Sequence, residues 1–147
     1  MPGSRFEIRV PPGPGVWFLI CLILLTVPVT WLLAWIISVS IHELGHLAMI
    51  RLLGIPVYGI ELGFTGARIH TAPMEPWQTL LCAAAGPGAG AIMALCGRQF
   101  PLLALFAYFH TAWNLLPLGN HDGARMIRAL WVMVRKIPCK PGQERIQ

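Results

Sequence analysis

From Val16 to Arg51 the chain is a nearly continuous apolar run, and the length of that run limits the fold more than any other feature. Its 36 residues, as one helix at a rise of about 1.5 Å per residue, would reach about 54 Å, against a hydrocarbon core of about 30 Å. The run must break. Pro28 is the natural place, because proline removes a backbone donor and suits the first turn of a new helix. This reading gives a first span near residues 15–27 and a second near 28–53. A third apolar segment covers about 77–96, interrupted by AAAGPGAG, and a fourth covers about 100–118 after the polar pair Arg98 and Gln99. A soluble domain is excluded by 56% hydrophobic and 12% charged residues with a mean hydropathy of +0.64. The expected fold is an all-α polytopic membrane protein with about four transmembrane helices, one domain over residues 1–147, its surroundings the lipid bilayer.

The formal charge of +5 does not point to nucleic acid, since the basic residues are scattered between apolar segments with no aromatic-basic patch. They sort by topology instead. With the N-terminus inside, Arg5, Arg9, Arg51, Arg68, Arg125, Arg128, Arg135, Lys136, Lys140 and Arg145 all fall on the cytoplasmic side, and only Arg98 falls outside. The expectation is a multi-pass protein of the cell membrane with both termini cytoplasmic. The N-terminal lead lacks a small-residue cleavage site after its apolar run, so the first segment is expected to stay. Cys21, Cys82, Cys96 and Cys139 have no metal-knuckle spacing and predict no disulfide framework. Between the second and third spans, the β-branched runs 57–62 and 67–71, separated by glycines, predict a short interfacial β-hairpin. A last helix over about 124–136 carries Arg125, Arg128 and Arg135 on one side and Ile127, Leu130 and Val134 on another. It is expected to lie amphipathically in the interface plane.

Within the second span stands HELGH, residues 42–46. In a helix His42 and His46 project from one face and can chelate one metal ion, while Glu43, about 100° round, can reach a water there without binding the metal. Gly45 would let another helix approach closely. A catalytic zinc takes three protein ligands plus water. Asp122 is the sole aspartate of the chain and follows the fourth span, which ends on the same side as HELGH, so it arrives at matching depth. His121 beside it and His70 on the hairpin compete for the role, whereas His110, in mid-span, is expected to hydrogen-bond between helices. One Zn²⁺ per chain is the expected cofactor.

HELGH in one span, a GP-containing apolar segment and NLLPLGNHDG near the end of a later span together resemble the site-2 protease family of intramembrane zinc metalloproteases. Within it, the small bacterial branch that includes sporulation-factor-processing enzymes is most similar, over about residues 6–131. The resemblance implies that His42, His46 and Asp122 bind zinc, that Glu43 is the catalytic acid/base and that Asn114 assists at the substrate. It implies hydrolysis of a membrane protein near the cytoplasmic side of its transmembrane segment, with the hairpin holding the unwound peptide by strand addition. The chain departs from the family pattern in having Gly90 where an asparagine is usual and His121 before the aspartate, and no PDZ or CBS module is expected. The glycine-rich third span is expected to admit water, and the first and third spans are the expected substrate gate. The alternative is a metal-binding membrane protein without catalysis, a transporter or a regulatory partner. Glu43 discriminates, since metal binding alone does not need it.

Overall fold

The computed structural model describes residues 14–63 and 66–135; the FEIRV lead with Arg5 and Arg9, and Lys136, Cys139, Lys140 and Arg145, lie outside them. The elements are α1 (Pro14–Thr26), α2 (Val29–Leu52), β1 (Val57–Gly63), β2 (Gly66–Thr71), α3 (Pro76–Cys96), a 3₁₀ turn (Gly97–Gln99), α4 (Pro101–Leu115) and α5 (Asp122–Arg135). The long apolar run breaks at Pro28, as its chemistry requires. Pro28 is extended (φ −55°, ψ 136°) and precedes α2, whose first turn opens with Trp31 N–H donating to Pro28 O at 2.9 Å.

Gly54 ends α2. At φ +66° it adopts a conformation that side-chain-bearing residues avoid, and the two bonds of a Schellman motif follow. Gly54 N–H donates to Arg51 O at 3.0 Å and Ile55 N–H to Ile50 O at 3.1 Å. The hydrophobic contact that accompanies such a motif is here Ile50 with Ile55, joined by Cys82 of α3 and flanked by Val57 and Ile69. The helix end and the hairpin root therefore share one small core. The hairpin is antiparallel and pairs Val57 with Thr71, Ile60 with Ile69 and Gly63 with Gly66, with a bulge between Val57 and Gly59.

A capping box opens α3: Gln78 Oε1 accepts from Glu75 N–H at 2.9 Å, the Glu75 side chain accepts from the Gln78 backbone, and Pro76 stands at the first turn. The helix then runs through Pro87 without a break, so the interruption expected at AAAGPGAG does not occur. Pro87 does forfeit the hydrogen bond to Ala83 O. Neighbouring helices hold the segment in place, because α3 is the hub against which α2, α4 and α5 all pack, and small residues let them approach. A Cβ on Gly45 would lie 2.6 Å from Ala85 O and 2.9 Å from Ala89 Cβ.

α2 and α3, at 24 and 21 residues, are long and apolar enough to cross a membrane, and only 28% of each apolar window is buried within the chain. What they expose is Trp31, Leu33, Trp35, Ile36, Leu81, Ile92 and Leu95, while their buried residues, Ile50 apart, are small or polar: Ala34, Ser38, His42 and His46 on α2, and Cys82, Ala83, Gly86, Pro87 and Gly90 on α3. A water-soluble fold has the opposite arrangement. Of the four spans expected, only these two among the described residues have the length. α1, with 13 residues, rises about 20 Å and α4, with 15, about 22 Å, short of a core of about 30 Å. α5 buries Ala124 and Ala129 and leaves Ile127, Leu130, Trp131 and Val134 exposed, with the Arg135 guanidinium 3.8 Å over the Trp131 ring.

Candidate metal centre

Three side chains from two helices meet where α2, α3 and α5 converge. His42 and His46 stand one turn apart on the buried line of α2, and Asp122 opens α5. His42 Nε2 lies 3.0 Å from Asp122 Oδ2, His46 Nε2 lies 3.1 Å from the same oxygen, and the two Nε2 atoms are 3.2 Å apart. All three residues are buried. The triangle has the size that a metal ion needs, since tetrahedral ligands at about 2.0–2.1 Å from zinc stand about 3.3 Å from one another.

The hydrogen bonding around the triangle supports the same reading. His46 Nδ1 is 2.7 Å from Cys82 O, and a carbonyl oxygen only accepts, so Nδ1 carries the proton and donates it. In neutral His46 the Nε2 lone pair then faces an Asp122 oxygen, acceptor against acceptor. A proton or a metal cation must lie between them, and a backbone carbonyl fixing the outer nitrogen is the usual support of a metal-binding histidine. Asp122 is held as the anion. Burial alone would push its carboxyl up, but the His42 and His46 imidazoles set against Oδ2 outweigh this and keep it below the usual carboxylate range. Arg125 Nη1, 3.8 Å from the other carboxylate oxygen Oδ1, adds positive charge on the side away from the histidines. The donor set of two imidazoles and one carboxylate suits a divalent ion of the zinc class.

Two glycines make the room. A Cβ on Gly86 would run into His46 Nε2 and Cε1 and come within 2.8 Å of His42 Nε2, so α3 can back the ligands only with a glycine there. A Cβ on Gly123 would collide with the Leu115 carbonyl. That contact holds the start of α5, and Asp122 with it, hard against the end of α4.

The remaining candidates are placed as follows. Glu43 follows His42 on α2, is half-buried, and lies near enough to His46 for their charges to interact. His121 turns away from the ligand triangle: its Nδ1 donates to Trp113 O at 3.0 Å. His70 is exposed on β2 and is not among the three grouped ligands. Asn114 is half-buried on α4, where its amide nitrogen donates to His110 O at 3.0 Å and lies 3.1 Å from His110 Nε2. His110 departs from expectation. Its hydrogen bond is to its own helix, and what it brings to α2 is its ring, set edge-on 4.6 Å from that of His42. The spacing of His110 and Asn114, four residues apart on one helix face, was the signal for this pair. Among the described buried atoms, Ser38 Oγ, His42 Nδ1, Thr111 Oγ1 and Arg125 Nε have no hydrogen-bond partner, and two of these belong to a ligand, His42, and to the arginine beside Asp122.

No protein-family model matches the chain and no curated protein matches it significantly, so what this centre does must be argued from its own chemistry.

Proposed function

We propose that the chain is an intramembrane zinc metalloprotease that hydrolyses a peptide bond in or near the transmembrane segment of a membrane-protein substrate. The observation that carries this reading is the triangle of His42 Nε2, His46 Nε2 and Asp122 Oδ2, with sides of 3.0–3.2 Å, next to a carboxylate, Glu43, that is not part of it. Zinc bound there would lower the pKa of a water to about 7 and polarise a peptide carbonyl. Glu43 takes the proton from the attacking water and returns it to the departing amine, a task for which its place one residue from His42 is suited. His46, fixed by the Cys82 carbonyl, and Asp122, kept ionised, are ready to bind without rearrangement.

In this reading α1 and α4 cross the bilayer together with α2 and α3, both termini are cytoplasmic, and the centre lies towards the cytoplasmic side. The contacts of Trp31 with Phe106 and His42 with His110 support it, because they require α2 and α4 to run the same way, as two helices separated by one crossing must. Hydrolysis inside a bilayer needs water at the centre, and in this reading water enters from the cytoplasmic side. The β1–β2 hairpin offers an unwound substrate a strand to pair with.

The test is metal content by elemental analysis of the detergent-purified protein, with a membrane-peptide cleavage assay on the wild type, Glu43→Gln and Asp122→Ala. About one zinc per chain is expected in the wild type and in Glu43→Gln, with cleavage only in the wild type, and loss of both in Asp122→Ala. Stoichiometric zinc with cleavage indifferent to Glu43→Gln would sink the mechanism. A wild type that binds zinc and cuts nothing would favour a metal-binding membrane protein instead.

A further inference from the structure

His110 and Asn114 form a second polar unit against the ligand triangle, and the chemistry of their contact fixes which atoms carry hydrogen. One Asn114 amide atom lies 3.0 Å from the His110 carbonyl oxygen and 3.1 Å from His110 Nε2. A carbonyl oxygen only accepts, so that amide atom must be the NH₂ nitrogen. With one hydrogen directed to the carbonyl, the other is available to Nε2, which must then present its lone pair. The proton of neutral His110 therefore sits on Nδ1. No hydrogen bond from Nδ1 occurs among the described residues, and Nδ1 is not one of their sealed, unsatisfied atoms either. The capped Nε2 also explains why a fourth histidine, its ring 4.6 Å from that of His42, stays out of the metal-ligand group.

We propose that His110 is a further catalytic residue, a neutral hydrogen-bond donor that offers Nδ1–H to the carbonyl oxygen of the scissile peptide, and that Asn114 is the positioning residue that holds it in this tautomer. The proposal rests on the protease reading and reassigns Asn114, which the family resemblance would set directly on the substrate. When water attacks the peptide carbonyl, the oxygen gains negative charge. A donor already in place beside the ligands stabilises that charge at no cost of reorganisation, and removing one such donor commonly slows a hydrolase about 10²–10³-fold. A neutral imidazole suits the position better than a charged one, since it adds no positive charge next to a metal ion.

The experiment uses the full chain in proteoliposomes with a fluorogenic membrane-spanning model peptide, and compares wild type, His110→Phe, His110→Gln, Asn114→Leu and the His110→Phe/Asn114→Leu double variant. Phenylalanine keeps the ring and removes the donor, so kcat is expected to fall about 10²–10³-fold with KM and zinc content unchanged. Glutamine, which restores an N–H, should recover part of the loss. If Asn114 acts through His110, the double variant will be no slower than His110→Phe alone; multiplied losses would overturn the assignment. ¹⁵N NMR of histidine-labelled protein gives a readout that needs no turnover: a protonated Nδ1 and bare Nε2 at His110, lost in Asn114→Leu, are expected, and a protonated Nε2 in the wild type would overturn the proposal. Loss of zinc in His110→Phe would make His110 a ligand or a scaffold residue, and would likewise overturn it. Failure of this proposal alone would appear as a wild type that cuts and a His110→Phe that cuts equally fast, whereas a zinc-loaded wild type that cuts nothing would remove the protease reading itself.

Discussion

α1 and the inner half of α2 are both apolar helical segments, separated by one proline, yet the structure treats them differently. In α1, Phe18, Leu22, Leu24 and Leu25 are exposed, and α1 packs extensively against no other described element. In α2, Ser38, His42, His46 and Ile50 recur every fourth residue along one buried line, and α3 and α4 both pack against this helix. Large apolar side chains do not make the difference, since α1 has them in abundance. In lipid, apolar surface has nothing to gain by leaving a solvent as apolar as itself, so helices associate where small residues permit close contact and where polar groups find partners. The polar line on α2 is therefore both the candidate centre and the reason that the bundle assembles around it.

That contrast can be broken most severely at Gly86. Gly86→Ala puts a Cβ into both imidazoles, and the backbone of the hub helix cannot retreat without moving its other neighbours. Zinc content is expected to fall from about one per chain to near zero, with cleavage reduced more than about 10²-fold. Gly88→Ala is the matched control. A Cβ there meets nothing within 4 Å, so elemental analysis and turnover should both match the wild type. Equal losses in the two variants would mean that α3 requires glycine for its backbone around Pro87 rather than for the ligands.

Gly123→Ala should do less. The Cβ meets the Leu115 carbonyl and comes 3.1 Å from Leu115 Cα, and these are backbone atoms at the end of α4. α5 must lift away, carrying Asp122 while leaving the two histidines undisturbed. A chelator competition titration is expected to show zinc affinity weakened about 10–100-fold, the range in which disturbed support of a ligand usually falls. Unchanged affinity would mean that α5 can shift along α3 without taking Asp122 out of reach.

How far these features could be read from the sequence depends on whether their cause is local. The break at Pro28, the turn at Gly54, the hairpin and the i, i+4 pair His42 and His46 all follow from backbone rules or helical period, and each stands where the residues put it. Asp122 was reachable by counting spans, because a chain with a single aspartate leaves little choice. Pro87 misled because a proline's local preference was outweighed by the helices packed around it. Gly86 was visible as a glycine but not as the floor of the centre, since that role depends on the crossing of α2 over α3. His110 was expected to hydrogen-bond between helices, and its actual partners were hidden for the same reason: the Asn114 contact lies within one helix, but the ring contact to His42 exists only once α4 is docked. Composition marks α1 and α4 as apolar as well, but apolarity alone does not fix how a helix of 13 or 15 residues sits relative to a bilayer.

The smallest expected effect lies in α1. Leu25 is 85% exposed, and Leu25→Ala removes a side chain that fills no protein interior, so no cavity is left behind. The thermal midpoint of the zinc-loaded protein should correspond to a change within about 0.5 kcal/mol, as for most exposed substitutions, and cleavage of the model peptide should be unchanged. The same truncation at Ile50, which is 4% exposed and shares a core with Ile55 and Cys82, would open a void beneath the end of α2. This asymmetry is what distinguishes a helix that the fold packs against from one that it leaves exposed. If Leu25→Ala instead slowed cleavage several-fold while zinc content and thermal midpoint held, α1 would be acting on the substrate, and its exposed face at Phe18, Leu22 and Leu25 would mark the side on which a substrate helix docks.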